Sequence, residues 1–307
     1  MMNKILILAG GYSNEREISL ITAASVTKEL KKIKKYKLLT IEPDGHFVKR
    51  LRKFKPKLVL NLLHGRYGED GYIQAILESE KVKYTHSGVL SSSLAIDKEL
   101  SKKIFMINNI LTPPYIKFSF KKDFNIKNII KKIDKNFKFP VVLKPINEGS
   151  SIGVYICNKK NFNINLMKLE KFQDILIEKY IPGREIQAAI LGKKTLGIIE
   201  LKPNRKFYDY KAKYSADAKT EHIIPVSMST RNFKKINSIA MKAHKILKCR
   251  GVSRSDFRFH NNKFYLLELN TQPGMTSLSL VPEIARYNNI SFIKLIEEIM
   301  KDASINK

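Results

Sequence analysis

Cysteine is scarce in this 307-residue chain: there are two, Cys157 and Cys249, far apart and without metal-ligand spacing. That excludes a zinc framework and argues against a structural disulfide, so both are expected to be buried free thiols. Long apolar runs are missing as well. The opening Ile5-Leu6-Ile7-Leu8-Ala9 is too short for a signal segment and runs into Asn14-Glu15-Arg16-Glu17. No stretch approaches the roughly 20 residues that span a bilayer, so a soluble, cytoplasmic protein without membrane association is expected. Acids are few: 28 Asp and Glu stand against 57 Lys and Arg, a formal charge of +29. Such an excess suits nucleic acid. The lysines are dispersed, however, as in Lys31-Lys32-Ile33-Lys34-Lys35 and Lys131-Lys132-Ile133-Asp134-Lys135. No basic tail, zinc-finger spacing or aromatic RNA-binding motif accompanies them, and no specific nucleic-acid partner is expected. Two nucleotide fingerprints are also lacking. Gly10-Gly11 does not extend to GxGxxG, and no glycine-rich loop ends in GK[ST].

What is present is a chain with 43% hydrophobic residues, long enough for two or three domains with their own cores. Residues 4–9 read as a buried strand ending at Gly10-Gly11, followed by a helix capped by Ser13 or Asn14 and carrying Ile18, Leu20, Ile21 and Ala24. Strand, glycine turn and helix open a doubly wound α/β domain. A second strand over 58–63 leads into the loop His64-Gly65-Arg66-Tyr67-Gly68-Glu69-Asp70-Gly71. Ligands of open α/β sheets gather beyond the carboxyl ends of strands, where both loops lie. A boundary falls near Asp97, with a helix over 98–106 beyond it. Strands at 141–144 and 154–156 then alternate with Lys-rich helical stretches. Ile181-Pro182-Gly183 reads as a hinge, followed by strands at 186–191 and 196–201, a polar loop and a helix over 233–247.

Three segments carry chemistry. The first is the end of the chain's last sheet, where residues 257–267 form a hairpin turning near Asn261-Asn262 and bring Asp256 towards Glu268. Glu268 and Asn270, two apart, share a face. A three-residue loop, Asn261 to Lys263, would set Asp256 opposite Glu268, with Phe257, Phe259, Tyr265 and Leu267 on the other face. A two-residue loop would send the two acids to opposite faces. Oxygen ligands of this kind suit Mg²⁺, although two acids alone fit a solvated hairpin edge better. The second segment, residues 144–153, offers Lys144 followed by Gly149-Ser150-Ser151-Ile152-Gly153. Its backbone N–H groups and hydroxyls could meet phosphate oxygens, or it could be an ordinary glycine-rich hairpin. The third is the strand over 175–181 with Glu178, followed by Glu185. A base could pair at that edge while Glu185 accepts ribose hydroxyls. In order, a strand lysine, a small-residue hairpin, an acidic hinge and the oxygen-bearing trio Asp256, Glu268 and Asn270 make an ATP site between two sheets.

These segments, together with Gly10-Gly11-Tyr12-Ser13-Asn14-Glu15-Arg16-Glu17, His64-Gly65, Gly68-Glu69-Asp70-Gly71, Asp97-Lys98, the run 207–214, Arg254 and 268–276, resemble the D-alanine–D-alanine ligases of the ATP-grasp superfamily over nearly the whole length. The resemblance implies a three-domain α/β ATP-grasp architecture. Residues 1–97 would form a doubly wound parallel-sheet domain, 98–183 a central subdomain, and 184–307 a C-terminal subdomain with the metal site and a mobile loop. It implies joining of two D-alanines at the expense of ATP, for peptidoglycan precursors, through an acylphosphate. Two Mg²⁺ ions, replaceable by Mn²⁺, would be held by Asp256, Glu268 and Asn270. Lys98, Lys144, Ser151, Phe207 and Lys213 would bind the nucleotide together with Glu178, Lys179, Ile181 and Glu185. Glu15 and His64 would receive the first D-alanine, and Ser279 and Leu280 the second. Arg254 and the Gly274 N–H would stabilise the oxyanion. Tyr214, on a closing loop at about 205–223, would join Glu15 and Ser150 in a hydrogen-bonded trio. A homodimer is also implied. Two departures stand out: His86 replaces a glycine, and Ser253 precedes Arg254 where some relatives carry glycine. His46, His222, His244 and His260 receive no role.

Overall fold

The computed structural model describes residues 3–121, 125–202, 220–276 and 279–305. Three sheets organise them. A parallel sheet in the order β2-β1-β3 is built from β1 (Asn3–Leu8), β2 (Tyr36–Ile41) and β3 (Leu58–Asn61). Strand β1 is buried from Ile5 through Leu8 because helices cover both sides of the sheet, which is why its sequence is continuously apolar rather than alternating. Helix α1 (Arg16–Lys31) follows the first glycine turn, and α2 (Phe47–Phe54) and α3 (Tyr72–Ser79) follow the next two strands.

Helix α1 departs from expectation in two respects. Glu15 occupies its N-cap position and makes no side-chain cap. Its inward face carries Ile18, Ser19, Thr22, Ala23, Val26 and Leu30, leaving Ile21 half exposed and Ala24 outside. The polar pair is turned inward because it has work to do: Ser19 Oγ accepts from Gly10 N at 2.8 Å and donates to the Leu62 carbonyl at 2.7 Å, pinning the ends of two strands together.

Helices α4 (Val89–Ile96) and α5 (Lys98–Ile107) lead away from the parallel sheet, with Asp97 capping α5 through a 2.9 Å bond from Leu100 N. A four-stranded antiparallel sheet follows in the order β4-β7-β5-β6, from β4 (Tyr115–Ser119), β5 (Val141–Pro145), β6 (Tyr155–Cys157) and β7 (Asp174–Lys179). Helices α6 (Ile126–Asn136) and α7 (Phe162–Met167) cover its apolar face, where Phe118, Ile133, Leu143, Phe162 and Ile177 meet.

The largest sheet has the order β10-β9-β8-β11-β12: β8 (Arg184–Leu191), β9 (Lys194–Lys202), β10 (Glu221–Ile223), β11 (Val252–His260) and β12 (Lys263–Asn270). Helix α8 (Thr230–Ile246), capped by Ser229, packs on one face with Phe105 of α5. Helices α9 (Leu280–Tyr287) and α10 (Phe292–Lys301) cover the other face and share a core with α1. Among the described residues, no helix is long and apolar enough to cross a membrane. Cys157 is buried, Cys249 is half-buried, and both are free.

The β11–β12 hairpin resolves the open question of register. His260 pairs with Lys263, so the loop has two residues, Asn261 and Asn262, both with left-handed backbone. On the expectation above, that would have split Asp256 from Glu268. Instead Phe257 pairs with Leu266 and Asp256 with Glu268, because a bulge at Leu267 absorbs one residue. The bulge also moves the apolar face from Phe264 and Leu266 to Leu269. Tyr265 and Leu267 therefore lie outside the core, contrary to the alternation expected for them.

Candidate active site

Two adjoining cavities lie between the sheets. Lys98, Glu148, Gly149 and Glu268 line both. The carboxylates of the last hairpin and the Ser-rich hairpin thus share one cleft, although more than 100 residues separate them in sequence.

Glu15, His64, Gly65, Glu69, Ser150, Arg254, Asn270, Gly274, Ser279 and Leu280 are among the other residues that line the first cavity. The Ser150 hydroxyl donates to Glu15 Oε1, joining the N-terminal helix to the hairpin after β5. Space around this carboxylate depends on glycine. A Cβ on Gly65 would come within 2.9 Å of Glu15 Oε2, and one on Gly149 within 3.0 Å. His64 is buried at the end of β3, its Nδ1 3.1 Å from Glu69 Oε1 and its Nε2 3.4 Å from Thr22 Oγ1. Burial opposes charge on the imidazole, but Glu69 and Glu15 outweigh it and the His64 pKa stands above its ordinary value. Burial raises Glu69 too, so the pair keeps its shared proton firmly. At the far wall, Ser279 Oγ accepts from Thr276 N at 2.9 Å, and a Cβ on Gly274 would meet that same oxygen at 2.9 Å.

Lys144, Ser151, Glu178, Lys179, Ile181, Glu185 and Asp256 line the second cavity. Its acids are matched to cations. Glu178, at the end of β7 and 2% exposed, has Lys144 Nζ at 2.9 Å and Lys102 Nζ at 3.0 Å from the same oxygen. Burial works against its ionisation, yet the two lysines hold its pKa below the usual carboxylate range. Arg258 Nη1 is 3.2 Å from Glu185 Oε2, and Arg258 also donates to the carbonyls of Ile181 and Gly183, so the segment between β7 and β8 is tied to β11. Lys98 Nζ donates to the Glu148 carbonyl at 2.5 Å and lies 3.4 Å from Glu268 Oε2. Arg254 grips Asp256 with two bonds, of 2.7 and 3.0 Å.

Asp256, Glu268 and Asn270 supply only oxygen donors, the chemistry that suits a hard divalent cation. Among the described residues, no group of three or more His, Cys, Asp or Glu side chains is placed to hold a metal. Two carboxylates and an amide nonetheless fit an ion that keeps waters and phosphate oxygens as its other ligands.

Every predicted site residue within the described chain therefore borders one of the two cavities. Phe207, Lys213 and Tyr214 lie outside the described residues. Lys102, Glu69 and Arg258 went unassigned in the sequence. For Lys102 a signal existed, since it stands one helical turn after Lys98 on α5. Arg258 could have been found only through its pairing with Glu185 across β11 and β8.

A family model described as D-ala D-ala ligase C-terminus matches residues 104–301, more than half of the chain. The chain belongs to the D-alanine–D-alanine ligase family. A D-alanine–D-alanine ligase from Pelagibacter ubique is 64% identical over 307 residues, covering 100% of both chains. Among solved structures, the D-alanine–D-alanine ligase from Bacillus anthracis superposes with a TM-score of 0.86 at 34% identity, over 98% of this chain and 97% of that one. The same enzyme complexed with ATP gives 0.84 at 32% identity, with the same coverage. The α/β ATP-grasp class expected from the sequence is thus the class of this ligase fold.

Proposed function

We propose that the paired cavities perform ATP-dependent ligation of two D-alanines to D-alanyl-D-alanine, releasing ADP and phosphate, for peptidoglycan precursor synthesis. The second cavity takes ATP, with its base and ribose at Glu178, Lys179, Ile181 and Glu185. The phosphates run past Ser151 and Lys144 towards Lys98, where the two cavities meet. The first cavity takes both D-alanines. Glu15, fixed by Ser150, receives the ammonium of the first, and His64 stands near its carboxylate. Ser279 and Leu280 hold the second.

A carboxylate oxygen of the first D-alanine attacks the γ-phosphorus, the bond to the β-phosphate oxygen breaks, and ADP leaves. The amine of the second D-alanine then attacks the acylphosphate carbon. It loses a proton as the amide forms, and phosphate departs. Like charges about 4 Å apart repel by roughly 4 kcal/mol at an effective dielectric near 20, so the first attack needs cations fixed beforehand. Lys98 and Lys144 supply them. Asp256, Glu268 and Asn270 would hold Mg²⁺, as two ions that Mn²⁺ can replace, to screen the phosphate oxygens. Arg254 and the Gly274 N–H stabilise the oxyanion that develops in the second attack. The three-part division at residues 97 and 183, a cytoplasmic location and a homodimer accompany this reading on family resemblance.

The meeting of the hairpin carboxylates and the Ser-rich hairpin in one cleft carries the reading. Phosphate release from ATP is expected to require D-alanine, and the product to have the mass of the dipeptide. Release indifferent to D-alanine, or strong salt-sensitive RNA binding without turnover, would overturn it. Pairing D-alanine with D-serine or D-lactate in the same assay tests whether the second site is restricted to an amino acid of this size.

A further inference from the structure

Lys102 lies in α5 with no exposed surface and borders neither cavity, yet its ammonium group sits beside the nucleotide pocket. It donates to Thr112 Oγ1 at 2.7 Å and to the Pro113 carbonyl at 3.3 Å, and forms an ion pair with Glu178 Oε1 at 3.0 Å. The Tyr115 ring lies 5.6 Å from the same nitrogen. Lys144 differs. It reaches the same Glu178 oxygen from β5 and also lines the cavity. Two cations therefore bracket one buried anion, one of them locked in the protein and the other facing the ligand.

We propose that Lys102 is a positioning residue for ATP: as a permanent counterion to Glu178, it lets Lys144 leave that carboxylate for the phosphate chain. This inference rests on the ligase reading above. Its physical basis is that withdrawing the sole partner from a buried charge is strongly unfavourable, whereas withdrawing one of two is not. Without Lys102, Glu178 and Lys144 would form a closed one-to-one pair. ATP would then have to break that pair before gaining its lysine. With Lys102 the cluster carries one positive charge in excess, and the mobile member can be shared with an incoming polyanion.

The groups that face this nitrogen make the cluster sensitive to alkaline pH. The Lys102 pKa is lowered to about 8: burial is the largest cause and Lys144 acts the same way, against the opposing pull of Glu178 and the more distant Glu268. As pH rises through that value, Lys102 loses its proton and Lys144 becomes the sole partner of Glu178.

The test compares wild type with Lys102→Met, Lys102→Arg and the double variant Lys102→Met/Glu178→Gln, measuring KM for ATP and for D-alanine from pH 7 to pH 9.5. Lys102→Met is expected to raise KM for ATP about tenfold at pH 7 while moving KM for D-alanine and kcat far less. The double variant, with both buried charges removed, is expected to recover part of the loss. In wild type, KM for ATP should climb above about pH 8, and Lys102→Arg, which stays charged, should flatten that climb. A Lys102→Met enzyme with the wild-type melting temperature and unchanged KM for ATP overturns the proposal, as does a loss shared equally by both substrates. If Lys102→Met does not fold, the wild-type and Lys102→Arg pH profiles decide: a flat wild-type profile, or two profiles that rise together, overturns it. Wild-type protein lacking D-alanine-dependent turnover would instead strike at the ligase reading itself.

Discussion

The two cavities share a wall but manage their acids differently. In the first, Glu15 is held by a serine hydroxyl and Glu69 by a histidine. In the second, Glu178 is bracketed by lysines, Glu185 is met by Arg258 and Asp256 by Arg254. A carboxylate held by a neutral hydroxyl can still pair with an arriving ammonium group. A carboxylate held by a cation instead stores that cation close to where the proposed function brings a polyanion. The difference therefore matches an amino-acid pocket beside a nucleotide pocket, and it follows from local pairing, not from the chain's overall charge of +29.

The sharpest way to break the comparison is at the shared wall. Glu268 borders both cavities, so Glu268→Gln should cost both half-reactions, and chelating divalent cations from wild type should do the same. We expect turnover to fall by more than about a thousandfold in each case, because charge stabilisation by metal contributes several kcal/mol. Turnover that survives exhaustive chelation would remove the metal from the scheme. The next effect separates the cavities. Glu15→Gln should raise KM for D-alanine, and Lys144→Met should raise KM for ATP, each by about 10-fold to 100-fold, the range for a lost charge-assisted hydrogen bond. Initial-rate kinetics with each substrate varied in turn would show the crossing pattern. Equal effects on both substrates in both variants would dissolve the distinction.

Much of this was legible in the sequence, for reasons that differ by region. Strand β1 and its glycine turn announce a buried parallel sheet because an apolar run needs no partner information. The Asn261-Asn262 turn is equally local. The bulge at Leu267 is not. It is fixed by how β12 meets β11, and without it the two-residue turn would place Asp256 and Glu268 on opposite faces. Helix α1 misled for a related reason. Its apolar positions suggested Ile21 and Ala24 as core, whereas Ser19 and Thr22 turn inward because Gly10, Leu62 and His64 need partners. Side chains recruited by a site break the hydrophobic period that reveals a helix face. Lys102 was half legible: its place one turn after Lys98 is local, but its pairing with Glu178 spans two elements far apart in the chain.

His86 offers the smallest and most separable test, because it adjoins the first cavity's machinery without belonging to it. Its backbone suits the glycine that the sequence resemblance implies at this position: φ is 68°, in the left-handed region that glycine enters without cost. The residue is 2% exposed, and neither ring nitrogen has a hydrogen-bond partner among the described residues. Burial lowers its pKa to about 3, and the charges of His64 and Arg250 push the same way. A depressed imidazole pKa stabilises the fold fully above the unfolded value near 6.5, and that contribution is lost as pH falls towards 3. His86→Gly should therefore leave turnover near wild type while flattening the loss of stability between pH 6.5 and pH 4, by up to about 1.4 kcal/mol per pH unit. His244, hydrogen-bonded to Ser253 and lowered to about 4 mainly by burial, responds in the same window but is common to both proteins, so the difference isolates His86. Urea unfolding of the two proteins at pH 7 and pH 5 gives that difference directly. Parallel pH profiles would mean that the buried ring finds a proton acceptor or a water on acidification, and that only the backbone geometry at this position distinguishes histidine from glycine.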